Sequence, residues 1–220
     1  MSDIHGCMKA YREMLRKINF TSSDTLYIIG DVVDRGPDGI GVLLDIISRP
    51  NVTMLLGNHE LMMLNAMSAM TNLKDNELCP ELELWAMNGC APTLDGLDRL
   101  SEKEAAKLFE YLEDLMPKTD VTVGEKTYHL VHGAPGGTGA TEYDLVWSRI
   151  DKNAPAFFTD RTVISGHTPT PYYNDDGSAK IWYGNGCIII DCGCFVQSIP
   201  GKLACLRLDD MKEFYTSQWV

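Results

Sequence analysis

Two short apolar runs, 25–29 (TLYII) and 52–56 (VTMLL), each stop at a glycine, continue into charged residues, and lead to an apolar-striped segment. The striped segments are 39–47 (GIGVLLDII), closed by Pro50, and 60–70. Strand, helix, strand, helix in units this short leaves little room for a hairpin. The pattern therefore implies a mainly parallel sheet with helices on its faces. In such sheets ligand groups gather in the loops after the carboxyl ends of the strands, and the polar clusters of this chain fall there.

From 73 to 116 the pattern turns helical, with candidate helices at 81–87 and 102–115; the region is read as packing support or as a cap beside the site. Methionines 62, 63, 67, 70 and 87 form a stripe read as adaptable core packing. The second half favours strands at 121–123, 127–131, 162–165, 180–183, 187–190 and 203–208, separated by turn signals at 174–178 (NDDGS) and 184–186 (GNG). A second, mixed sheet packed on the first is expected. With no repeat or linker, 1–220 reads as one domain.

The 220 residues are 45% apolar, enough for one core without disulfides. A formal charge of -12 repels polyanions at long range and argues against a nucleic-acid binding module. It leaves a small phosphate substrate open, because metals and local arginines invert the field inside a cleft. Seven cysteines without a CxxC pair read as reduced thiols of the cytoplasm, mostly packed inside. Cys192 and Cys194, two apart in a strand-like stretch, are expected to face one side. No apolar run is long enough for a membrane span.

Five polar clusters occur in order: Asp3-Ile4-His5-Gly6, the stretch 30–36 (GDVVDRG), Gly57-Asn58-His59-Glu60, His132-Gly133 and Gly166-His167. Asp3 and His5, two apart, share a face if extended. Two carboxylates and an arginine between glycines are costly at a strand end unless charge compensates them, and Asp31 has two oxygens to offer two cations. Asn58 supplies a neutral carbonyl, and His59 is placed to give a proton. Glu60 sits where a helix start favours negative charge. Four of the five histidines end or follow apolar segments, whereas His129 lies inside one and is read as structural. Mixed oxygen and nitrogen donors suit first-row cations better than calcium or magnesium.

In this order the clusters resemble the phosphoprotein phosphatase family of calcineurin-like metallophosphoesterases, whose pattern is GDxHG, GDxVDRG, GNHE, HG and GH. The likeness continues to Ile190-Asp191-Cys192-Gly193, and the stretches 145–149 (LVWSR) and 166–169 (GHTP) are most similar to bacterial and phage members. The resemblance implies an α/β sandwich of two mixed β-sheets flanked by helices, with two divalent metal ions at one edge: manganese first, iron or zinc as alternatives. It implies that Asp3, His5 and Asp31 hold one metal, and that Asn58, His132 and His167 hold the other with Asp31 bridging. His59 would be the acid, oriented by Asp34, while Arg35, Arg149 and Asn58 would grip the phosphate. The implied activity is a cytoplasmic serine/threonine protein phosphatase that uses a metal-bridging hydroxide. The alternative is a symmetrical bis(5'-nucleosyl)-tetraphosphatase or a broad-specificity phosphoesterase. Partners would be a phosphorylated protein or peptide, or a nucleotide-type phosphoester, with no nucleic acid and no membrane. Ser2 stands where the family has glycine, and almost none of the apolar strand that normally leads into the first aspartate precedes Asp3. The expectation is that several more apolar residues lie upstream in the natural chain. Without them, neighbouring strand edges stay unpaired and the Asp3–His5 arm is weakly anchored.

Overall fold

The strand–helix alternation folds as expected in the computed structural model, which describes residues 1–71, 79–196, 198 and 200–217. After α1 (Met8–Lys17) come β1 (Leu26–Ile29), α2 (Gly39–Ile47), β2 (Val52–Leu55) and α3 (Asn58–Thr71). β1 and β2 pair in parallel, with Leu26 opposite Val52 and Ile29 opposite Leu55. This register ends both strands level, so the loops beginning at Gly30 and Leu56 leave the sheet side by side. That is how two motifs distant in sequence come to share one site.

A helical segment follows: α4 (Pro80–Met87), α5 (Ala91–Leu97) and α6 (Glu102–Glu113). Ser101 starts α6 with a capping box, its hydroxyl accepting from Glu104 N while the Glu104 carboxylate reaches back to Ser101 N. The chain then builds the mixed sheet from β3 (Lys118–Val123), β4 (Lys126–Val131), α7 (Glu142–Trp147), β5 (Arg161–Ser165), β6 (Trp182–Tyr183) and β7 (Cys187–Ile189). Its order is β3-β4-β5-β7-β6, with β4, β5 and β7 parallel at the centre. The carboxyl ends of these three strands deliver His132, Gly166-His167 and Asp191 to the same edge as the β1 and β2 loops. The hairpin of β8 (Ala204–Arg207) and β9 (Lys212–Tyr215) completes the fold.

Ile29 and Leu55 pack against Leu130, Ile164, Ile188 and Ala204, so one core lies between the β1–β2 layer and the mixed sheet. On the other face of β1 and β2, Ile28, Met54, Leu43, Met63, Trp85 and Leu108 join in a second core under the helices. Each such buried side chain contributes about 1.5–3 kcal/mol relative to exposure. The result is two mixed β-sheets flanked by α-helices, the expected sandwich.

Several expectations need correction. Residues 1–6 are not a loose arm. Ile29 N donates to Met1 O, and Asp3, His5 and Gly6 N donate to the carbonyls of Gly30, Asp31 and Val32, at 2.7 to 3.1 Å. Nor is this segment extended at Asp3 and His5, which have φ of 52° and 44°. The expected open edges are present: among the described residues β1 pairs only with β2 and β8 only with β9. A groove of about 450 Å³ runs between them. α3 starts at Asn58, two residues before the expected start, which places Asn58 and His59 in its first turn. Met62 and Met63 are core, but Met70 and Met87 are exposed, because α3 and α4 turn those positions outward. Cys192 and Cys194 follow β7 in a loop and enter different cores, so they do not share a face. All seven thiols are free and buried. Part of the candidate cap, 73–78, lies outside the described residues. α1, α5, α7 and β9 went unforeseen; α5 has seven residues with an internal glycine, and Gly96 lets it pack closely onto Ile40 of α2. Among the described residues no helix is long and apolar enough to cross a membrane.

Candidate active site

Backbone strain is concentrated at one edge of the sandwich. Eight described non-glycine residues have positive φ, and six of them are Asp3, His5, Asp31, Asp34, Arg35 and His167. Each such conformation costs on the order of 1–2 kcal/mol, and here it re-aims a side chain at the end of a strand. The packing leaves no slack: a Cβ on Gly57 would lie 2.3 Å from Asp31 Oδ1, and one on Gly166 2.3 Å from Asp3 Oδ2. Glycine at both places lets backbone press directly on a carboxylate.

The strand ends bring together two clusters, His5–Asp31–His59 and Asp31–His132–His167, with Asp31 common to both and all donor atoms of each within 4.8 Å. The imidazoles sort by what fixes them. His5 Nδ1 donates to Val33 O at 3.0 Å, His132 Nδ1 to Ile29 O at 2.7 Å, and His167 Nε2 to Trp147 O at 3.1 Å. A carbonyl accepts only, so each of these rings has one N–H committed and turns its other nitrogen toward the centre. His132 Nε2 there faces Asn58 Oδ1 at 3.0 Å and Asp31 Oδ2 at 3.2 Å, and His167 Nδ1 faces the same Asn58 oxygen at 2.9 Å. Ring nitrogens and oxygens aimed at one point form a donor set that fits cations, with outer hydrogen bonds fixing each tautomer. Asp3 is buried beside them and accepts from His167 N at 3.1 Å.

Packed this closely, the acids and imidazoles shift one another. Burial pushes the Asp3 carboxyl up to about 6. Burial opposes charge on Asp31 as well, but His132 and His59 hold its carboxyl well below the usual range. At His132 burial opposes the charge, but Asp31, Asp3 and the Ile29 carbonyl together raise the ring to about 10, whereas burial and His132 drive His167 down to about 3.

His59 is held differently. Its Nδ1 meets not a carbonyl but the Asp34 carboxylate, at 2.6 Å, with both side chains fully buried. A carboxylate partner stabilises an imidazolium, which a carbonyl does far less. Although His59 lies close enough to Asp31 to join a cation cluster, this partner suits it to carry a proton. The Arg35 guanidinium donates to His59 Nε2 and to His5 Nε2, both at 2.9 Å. Arg149 donates to Thr168 Oγ1 and, with Arg35, His5, His167, Tyr172 and Asp191, lines a cleft of about 250 Å³. All ten residues singled out from the sequence thus lie at one edge of the fold. His129 stays apart: it is buried, bonded to Asp120 and set against Phe158, as a structural residue would be.

Three roles were not legible beforehand. Glu60 does more than meet a helix dipole. Its fully buried carboxylate accepts from the backbone N–H of Asp31, Val32, Val33 and Gly57, at 2.8 to 3.2 Å, and so ties the two motif loops together. Trp85 and Thr93, from the helical segment, both donate to Asp34. The sequence signs for Glu60 were its place in the motif and at a helix start, neither of which indicates this role; for Trp85 and Thr93 there was none.

Strained strand-end loops, a shared aspartate and a converging set of imidazoles define a metal-dependent phosphoesterase. Residues 1–193 match the calcineurin-like phosphoesterase family, and the chain belongs to it. Serine/threonine-protein phosphatase 1 of Salmonella typhimurium is 30% identical over 182 residues, 77% of each chain. The symmetrical bis(5'-nucleosyl)-tetraphosphatase of Proteus mirabilis is 36% identical over 84 residues, which cover 37% of this chain and 31% of that protein. Among solved structures, a metallophosphoesterase from Sphaerobacter thermophilus superposes with a TM-score of 0.58 at 18% identity, over 99% of this chain and 86% of that one.

Proposed function

We propose that the chain hydrolyses phosphoric esters and anhydrides of nucleotide type at a two-cation centre, with His59 as proton donor. The observation that carries the reading is the split among the histidines: three are fixed by carbonyls, which leaves each a second nitrogen for a cation, and one is fixed by a carboxylate, which suits an acid. Asp3, His5 and Asp31 would hold one cation, and Asp31, Asn58, His132 and His167 the other; manganese, iron and zinc all suit these donors. When bound, the cations supply an acidified water as nucleophile and offset charge on the phosphoryl oxygens.

The remaining work falls to the protein. Arg35 and Arg149 project into the cleft, where their N–H groups hold the non-bridging oxygens as negative charge builds on them. Asn58 adds an amide donor on the same side. His59, oriented by Asp34 at Nδ1, takes up a proton at Nε2 when Arg35 turns from it to the phosphoryl oxygens, and gives that proton to the departing oxygen. The nucleotide preference is supported by the cleft wall: beside the arginines stands Tyr172, 77% exposed, with Phe195 nearby, and flat rings of this kind stack on a nucleobase. A second reading, a serine/threonine protein phosphatase, is favoured by the Salmonella relative, whose match spans most of both chains.

The test is kcat/KM with Mn²⁺ on diadenosine tetraphosphate, a phosphoserine peptide and nitrophenyl phosphate. The nucleotide reading expects the first to exceed the second, and Tyr172→Ala to narrow the gap. A phosphoserine peptide turned over faster, with no effect of Tyr172→Ala, would move the assignment to the protein phosphatase. Inactivity on all three with cations bound would remove the enzymatic reading.

A further inference from the structure

Asp34 poses a problem that the proton-donor role alone does not solve. Its carboxylate is fully buried, and among the described residues its ion-pair partner is His59, with no lysine or arginine facing it. A buried carboxylate in that position needs its oxygens filled by donors. The donors come from the helical segment. Trp85 Nε1 on α4 donates to Oδ2 at 2.8 Å, the same oxygen that takes the His59 bond. Thr93 Oγ1 on α5 donates to Oδ1 at 2.6 Å. Thr93 Oγ1 also accepts from Asp34 N at 2.9 Å, which pins the backbone where φ is 69°. In the turn between the two helices, Gly89 O accepts from Arg35 N at 2.9 Å. Trp85 and Thr93 are themselves fully buried.

We infer that Trp85 and Thr93 are positioning residues for the proton donor, so that α4 and α5 aim the reaction rather than roof it. The argument is geometric. With a donor on each oxygen, the carboxylate cannot turn about its Cβ–Cγ bond, and Oδ2 presents one direction to His59 Nδ1. That direction sets where Nε2 lies at the leaving oxygen, and a misplacement of about 1 Å at such a point costs on the order of 100-fold. Without the indole N–H, one fixed point of the carboxylate is lost; without the threonine hydroxyl, the other goes, together with the partner of Asp34 N.

This inference rests on His59 acting as the acid, and the experiment separates the two. Trp85→Phe removes the N–H and keeps a ring; Thr93→Val removes the hydroxyl and keeps the shape. Each is measured with bound manganese, kcat and KM on an alkyl phosphate and on nitrophenyl phosphate, whose leaving group needs little protonation, in the wild-type and in a His59→Ala background. The expected result is a fall in kcat of about 10- to 100-fold on the alkyl ester. The fall on the aryl ester should be much smaller, with KM and manganese content unchanged and no further loss once His59 is absent. Thr93→Ser should restore the alkyl rate, which also guards against a misfolded valine variant. Equal losses on both esters, or the same loss in the His59→Ala background, would show Trp85 and Thr93 to be packing groups and overturn the inference. A His59→Ala enzyme that itself fails to distinguish the two esters would overturn the acid role and this inference with it.

Discussion

The loops that follow β1 and β2 and the helical segment α4–α5 meet at Asp34, yet they are written in the chain very differently. In the loops most residues are polar, strained or glycine, and the side chains of Asp31, Arg35, Asn58 and His59 gather at the site while Val32 and Val33 anchor the loop in the core. The helices show ordinary helical sequence, in which Trp85 reads as core and Thr93 as a small filler. The difference follows from distance to the reacting atoms. A group that must hold a cation or give a proton has few chemical substitutes. A group that only orients it needs one N–H or O–H at one place, which many helices can offer.

The comparison can be broken or sharpened by measurement, starting with the largest effect. Asp31→Ala removes the carboxylate common to both clusters. It should empty or scramble the cation pair and abolish turnover; full manganese content by mass spectrometry of the native protein would sink the bridging role. His59→Ala should keep the cations and cost roughly 10²–10⁴-fold on alkyl phosphates, with a smaller loss on nitrophenyl phosphate. Comparable losses on the two would instead make His59 another cation ligand.

Cation affinity should depend on pH in two regimes. His132, raised to about 10 by Asp31 against the pull of burial, must give up a proton to become a ligand. Asp3, raised to about 6 by burial, competes in the same way only at lower pH. Both shifts are upward, so affinity is lost as pH falls. The expected slope is about one decade per pH unit between 6 and 8, steepening to about two below 6. Manganese titrations followed by calorimetry at pH 5 to 8 would reveal a flat profile if the rings and carboxylates are not ligands.

The smallest effect on catalysis is expected within the helical segment itself. Leu108 on α6 is fully buried but touches neither Asp34 nor the cleft. Leu108→Ala should cost about 2–5 kcal/mol of stability by urea unfolding and leave the alkyl-to-aryl rate ratio of the folded enzyme as it was. A changed ratio would mean that the whole helical block, and not two hydrogen bonds, aims His59.

Much of this protein was legible in its residues because the periods of strand and helix, and the demand of each cation or proton donor for a particular atom, act locally. TLYII followed by GDVVDRG, and VTMLL followed by GNHE, announced parallel strands with chemistry at their ends. Less legible was any role that depends on direction across the fold. Only tertiary packing decided that Glu60 reaches back to four backbone N–H groups, that three imidazoles lean on carbonyls while one leans on Asp34, and that Trp85 and Thr93 fill the oxygens of that aspartate. Hydrogen bonds are short and directional, so partners far apart in the chain leave no shared period in the sequence; they exist once the sheets and helices have fixed where each donor points.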